Sequence, residues 1–121
     1  MRNDTEHKSQ CAVIKWAVLS QGRFPALKRL FAIPNGGHRD IRVAARLKAE
    51  GVRPGVPDLM LPVPRGEYHG LFIEMKAKPN KLTELQEAEC AALEASGYCV
   101  RVCFSSAEAI QSIEHYITLR E

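Results

Sequence analysis

A chain of 121 residues, 45% hydrophobic and 26% charged, carries enough apolar side chain for one core and too little length for a second. One domain over residues 1–121 is expected, and a disordered or multidomain chain is not. The formal charge of +3 is mildly basic, which permits attraction to polyanions without establishing it. No apolar run approaches the roughly 18 residues of a membrane span, and the polar, acid-containing start lacks the basic-then-apolar order of a signal peptide; a cytoplasmic protein without membrane contact is expected.

The first element is a predicted helix from Thr5 to Gln21, capped by Asp4 or Thr5 and stopped by Gly22. Ala12, Val13, Trp16, Ala17 and Leu19 form its apolar face. Glu6, Gln10, Val13 and Ala17 follow at spacings of four and three, which extends that face to the helix start. Glu6 either looks inward or complements the helix dipole from the first turn. Leu30 to Ile33 is a short strand, broken by Pro34-Asn35-Gly36-Gly37. A helix from Arg39 to Glu50 follows, with Ile41, Ala44, Ala45 and Leu47 apolar. Arg39, Arg42 and Arg46 form one ridge on it. That ridge is either a solvated face or, with Asn35 and His38 in the adjoining loop and Arg53 beyond, a cradle for DNA phosphates.

Asp58 to Val63 and Leu71 to Lys76 are two apolar runs separated by Arg65 to Gly70, which has turn composition, so they read as a hairpin. Lys78 and Lys81 then precede a helix from Thr83 to Ser96 in which Thr83 and Gln86 fit a capping box and Leu85, Ala88, Ala92 and Leu93 supply the buried face. Tyr98 to Phe104 is rich in strand formers. Ser105 and Glu108 cap a last helix holding Ile110, Ile113, Tyr116 and Ile117. The sum is an α/β fold: a central mixed sheet flanked by helices on both sides.

The chemistry concentrates in the hairpin. Strand alternation puts Phe72, Glu74 and Lys76 on one face and Leu71, Ile73 and Met75 on the other. Antiparallel pairing brings Asp58 opposite the end of the second strand, close to Lys76. Two carboxylates and an ammonium then converge, the hard oxygen donors that Mg²⁺ prefers beside a lysine suited to positioning water. A plain cross-strand salt bridge is the alternative. The cysteines Cys11, Cys90, Cys99 and Cys103 include no CxxC pair or zinc spacing, and buried thiols in a reducing compartment are expected. His7, His38, His69 and His115 lack HxxxH or similar ligand spacing; all but His38 are expected to be solvated or, for His69, near a substrate or partner surface.

Pro57-Asp58 followed by Glu74-Met75-Lys76 resembles the PD-(D/E)xK nuclease signature. Glu6 with Gln10, Ile33 to Gly37, Gly51 to Asp58 and Lys81 to Gln86 narrow the resemblance to the VRR-NUC domain, the virus-type replication and repair nuclease module. The resemblance covers nearly the whole chain. It implies a restriction-endonuclease-like core and a Mg²⁺- or Mn²⁺-dependent DNA endonuclease. Asp58, Glu74, the Met75 carbonyl and Glu6 would serve the metal, Lys76 would activate water, and Gln86 would stand beside the active centre. Arg39, Arg42, Arg46, Arg53, Lys78, Lys81, Asn35 and His38 would meet DNA. Stand-alone family members from phages and bacteria resemble homodimers acting on four-way junctions, which implies branched DNA as the partner and the bacterial cytoplasm as the place. A flap or general duplex nuclease, or a nucleic-acid-binding module without turnover, remains open.

Overall fold

The computed structural model describes residues 4–34 and 40–121. The expectations for Asn35, His38 and Arg39 lie outside the described residues. In chain order the elements are α1 (Asp4–Leu19), a 3₁₀ turn (Pro25–Arg29), β1 (Phe31–Ala32), α2 (Ile41–Ala49), β2 (Leu59–Leu61), β3 (Leu71–Met75), α3 (Glu84–Ala95), β4 (Cys99–Cys103) and α4 (Ser106–Ile117). The four strands form one sheet in the order β1-β2-β3-β4. The β1–β2 and β2–β3 pairs are antiparallel and β3–β4 is parallel, joined through α3. The expected mixed α/β sheet is present.

Every residue of β3 is buried, so this strand is covered on both faces. On one face Leu71, Ile73 and Met75 join Val13 and Ala17 of α1, Ala109, Ile113 and Tyr116 of α4, and Leu59, Leu61, Cys99 and Cys103 in the main core. On the other, Phe72 and Val100 pack with Cys90 of α3, with Met60, Leu93 and Tyr98 around them. The alternation read from the sequence therefore divides the two layers. Tyr116 also donates from its hydroxyl to the Val63 carbonyl at 2.6 Å, tying α4 to the end of the hairpin's first strand. All four cysteines are free. Burial pushes the Cys90, Cys99 and Cys103 thiols up, as befits inert packing groups. Among the described residues no helix is long and apolar enough to cross a membrane.

Three helix faces depart from those read in the sequence, and in α1 Ala12 is exposed and Leu19 is 76% exposed. Leu85 is 60% exposed and Ala88 and Ala92 are exposed as well. The inward stripe of α3 is Gln86, Cys90 and Leu93, because the Thr83 cap starts the helix at a phase that turns Gln86 toward the sheet. In α2, Ile41 is 85% exposed, Ala44 and Ala45 are exposed, and only Leu47 is half-buried. The Asp40 side chain caps this helix by accepting from the Arg42 amide, so it forms locally and stands off the core.

The difference between α2 and the core-packed α4 is measurable. Ile113→Ala should cost about 2–4 kcal/mol of unfolding free energy, whereas Ile41→Ala should stay within about 0.5 kcal/mol of the parent in urea denaturation.

Candidate active site

The hairpin register sets the site. Leu59 pairs with Ile73 and Leu61 with Leu71, so continuing the ladder by one residue brings Asp58 opposite Glu74, at the end of the second strand. Pro57 is buried and has no N–H to extend pairing, so β2 begins just after Asp58. The Asp58 amide donates to the Ile73 carbonyl at 3.0 Å, and the Asp58 carbonyl accepts from the Ile33 amide at 2.8 Å. Its carboxylate Oδ2 accepts from the Met75 amide at 2.7 Å. The main chain is thus held from both neighbouring strands while the side chain caps the end of β3.

Glu74 and Lys76 sit on the same face at that end, and the Lys76 amide donates to the Cys103 carbonyl at 2.9 Å. Glu6 comes from the opposite layer. It is buried in the first turns of α1, and its Oε2 accepts from the Ala77 amide at 3.2 Å, which decides the sequence ambiguity in favour of the inward orientation. Asp58, Glu74, Glu6 and Lys76 are only 6%, 3%, 8% and 9% exposed. Among the described residues no carboxylate lies within ion-pair distance of the Lys76 ammonium.

Gln86 does both jobs that the sequence had set in competition. Its Oε1 accepts from the Thr83 amide at 2.9 Å, closing the capping box, while its Nε2 points at Glu74 Oε2 at 3.4 Å. One end of the amide holds the helix start and the other orients a site carboxylate. The first turns of α1 and α3 both approach the end of β3, so two helix amino termini flank the carboxylates.

A family model for the VRR-NUC domain matches residues 1–107. The chain belongs to the VRR-NUC family. A solved structure titled VRR_NUC domain protein resembles this chain with a TM-score of 0.81 at 30% identity, the match covering 100% of this chain and 94% of that one. No curated protein matches. The family is one of nuclease domains, and the fold agrees with it. In this VRR-NUC domain the acids and the lysine expected from the signature stand at one end of the central strand.

The other expected residues divide. Lys78 and Lys81 are exposed just past the site, with the Lys78 Nζ 6.0 Å from the centroid of the Phe104 ring. Arg42 and Arg46 are exposed on α2. Arg53 instead forks onto Glu89 of α3, with its two terminal nitrogens 2.5 and 2.9 Å from the carboxylate oxygens. Beside it Gly55 has φ +92°, and a Cβ there would lie 3.0 Å from the Leu85 carbonyl oxygen. The loop leading to Asp58 is thus pressed onto α3 by a salt bridge and a close backbone approach. Glu89 carried no sequence signal for this work, because its partner is remote in the chain.

Among the described residues no three His, Cys, Asp or Glu side chains form a ready-made metal cage. Asp58 and Glu74, two buried carboxylates that the β2–β3 register brings opposite each other, are donors of the type a hard cation takes. Such an ion takes one or two carboxylates and fills its other positions with water and phosphate.

The Arg53–Glu89 brace has a pH signature. The forked hydrogen bond from Arg53 lowers the Glu89 pKa, partial burial works against this, and the Arg53 charge adds to the lowering. A depressed carboxylate contributes stability that is present above its unfolded value of about 4.3 and lost as pH falls through the lower folded value. Glu89→Gln should therefore melt below the parent at pH 7, with the gap closing as pH is taken below both values in parallel thermal scans.

Proposed function

We propose that this VRR-NUC domain is a metal-dependent endodeoxyribonuclease, hydrolysing phosphodiester bonds in branched DNA and four-way junctions in particular. The observation that carries this reading is the convergence of Asp58 and Glu74, with the buried Lys76 ammonium two residues beyond Glu74. Asp58, Glu74 and the Met75 carbonyl would hold Mg²⁺ or Mn²⁺, with Glu6 acting through water. When bound, the cation supplies Lewis-acid stabilisation of charge on the scissile phosphate.

The remaining steps belong to the chain. Lys76 holds the attacking water by donating from its ammonium and counters the charge that develops as the P–O bond forms, while the water's proton passes to solvent. Gln86 keeps Glu74 in one orientation while its other end stays on Thr83. The helix amino termini of α1 and α3 favour a phosphate at this end of the sheet. Lys78 and Lys81, on the exposed segment that follows, and Arg42 and Arg46 on α2 would contact phosphates away from the cut. We assign Arg53 first to its brace on Glu89.

Two copies related by a two-fold axis would set two such sites for symmetric cuts, so a homodimer fits the proposed junction activity. Four free thiols, three of them buried and Cys11 exposed where a buried thiol was expected, suit the reducing cytoplasm of a bacterial cell.

The test is cleavage of labelled four-way junctions, flaps and linear duplex of matched sequence with Mg²⁺ or Mn²⁺. Paired nicks in the junction are expected, abolished by chelator and by Asp58→Ala. Lys76→Ala should lower the single-turnover rate about 10²–10⁴-fold while junction binding, followed by gel shift in Ca²⁺, persists. Equal cutting of flaps or duplex would transfer the assignment to a general nuclease. Binding without cutting on every substrate would leave a nucleic-acid-binding module.

A further inference from the structure

Away from the carboxylates, one pair of metal-ligating side chains among the described residues, a histidine and a cysteine, is in contact. His7 and Cys11 lie one turn apart on α1, both exposed, with His7 Nε2 3.6 Å from Cys11 Sγ. Neither a two-histidine nor a two-cysteine motif exists in this chain. The pair is mixed, His-xxx-Cys, and it is the helix that brings its members together.

The separation is informative. Tetrahedral zinc has Zn–S bonds near 2.3 Å and Zn–N bonds near 2.0–2.1 Å, which places a sulfur and a nitrogen ligand about 3.5–3.6 Å apart. The two atoms already stand at that bite. A second observation lies in the same place. His7, Gln10, Cys11, Ile14 and Lys15 line a groove of about 320 Å³ along α1. Within this group the Gln10 Oε1 is buried and has no hydrogen-bond partner. A buried carbonyl oxygen without a donor is costly and suits a cation.

We propose that Cys11, His7 and Gln10 form a site for a thiophilic divalent cation of the Zn²⁺ or Cd²⁺ class, separate from the hard-cation site at Asp58 and Glu74. Cys11 binds as thiolate, releasing its proton to solvent, and His7 binds through Nε2. Gln10 supplies the third donor through Oε1, and water fills the fourth position. Lys15 is exposed at the groove's other end, where its long stem keeps the ammonium in solvent. Thiolate and imidazole select zinc over magnesium, so the two sites discriminate by donor softness. The donors at i, i+3 and i+4 staple the first turns of α1, the segment that also carries Glu6.

The test titrates the full chain with Zn²⁺ by calorimetry in a large excess of Mg²⁺ and repeats it with Co²⁺, reading the thiolate-to-metal charge-transfer band. One ion per chain is expected, with the band present in the parent and in Asp58→Ala and absent in Cys11→Ser. Cys11→Ser and His7→Ala should each weaken binding by at least about tenfold, and Zn²⁺ should raise the melting temperature of the parent but not of Cys11→Ser. Gln10→Ala should weaken binding severalfold; undiminished affinity there would overturn the third donor. Absence of binding under excess Mg²⁺, full binding by Cys11→Ser, or loss of binding in Asp58→Ala would overturn the site itself. All these readouts are independent of nuclease activity, so failure of the nuclease reading would leave them unaffected.

Discussion

The bond from the Met75 amide to the Asp58 carboxylate fixes more of this molecule than any other single contact. A buried carboxylate needs donors, and here the nearest is the backbone of the adjacent strand, at 2.7 Å. That contact requires Asp58 to follow Pro57, so that pairing stops where the side chain takes over. It requires the Leu59–Ile73 register, because a slip of one residue would turn the whole of β2 over. It also requires the incoming loop to arrive from the side of α3. The Gly55 conformation, the Arg53–Glu89 fork and the Ile33–Asp58 backbone bond all serve that requirement.

Around this anchor the two helical layers contribute from opposite faces. Glu6 reaches the Ala77 amide from α1, and Gln86 reaches Glu74 from α3. The sheet end therefore gathers negative side chains inside a partly positive setting of helix amino termini, Lys76 and backbone amides. An entirely acidic pocket would repel a phosphate, and an entirely basic one would repel a hard cation. The mixed arrangement tolerates both together, which is what phosphodiester hydrolysis with a divalent ion demands.

What the sequence disclosed was local. The alternation in Leu71 to Lys76, the capping box at Thr83 and Gln86 and the inward phase of Glu6 each depend on residues within a turn or two. All of them agree with the structure. What it concealed depends on distance or on coverage. The Arg53–Glu89 fork joins residues far apart in the chain, and neither type of residue advertises a partner. The apolar residues of α2 marked one side of a helix correctly, but amphipathicity does not say that anything packs there, and Ile41 is open. Leu85 was turned outward by the same cap that had been read correctly, since the choice of first residue sets the phase of every later one.

The position of Lys76 completes this logic. An ammonium that is 9% exposed, with no described carboxylate within ion-pair distance, gives up much of its hydration and lacks the contact that normally compensates. Under the proposed function this is an advantage as well as a cost. A lysine locked onto Glu74 would have to break that pair before it could hold a water, and Glu74 would have to leave it before facing a cation. Glu74 is directed to Gln86 and Asp58 to the Met75 amide, so each acid has a neutral donor, and among the described residues no carboxylate is ion-paired with Lys76. The reorganisation that catalysis would otherwise require has been completed in folding.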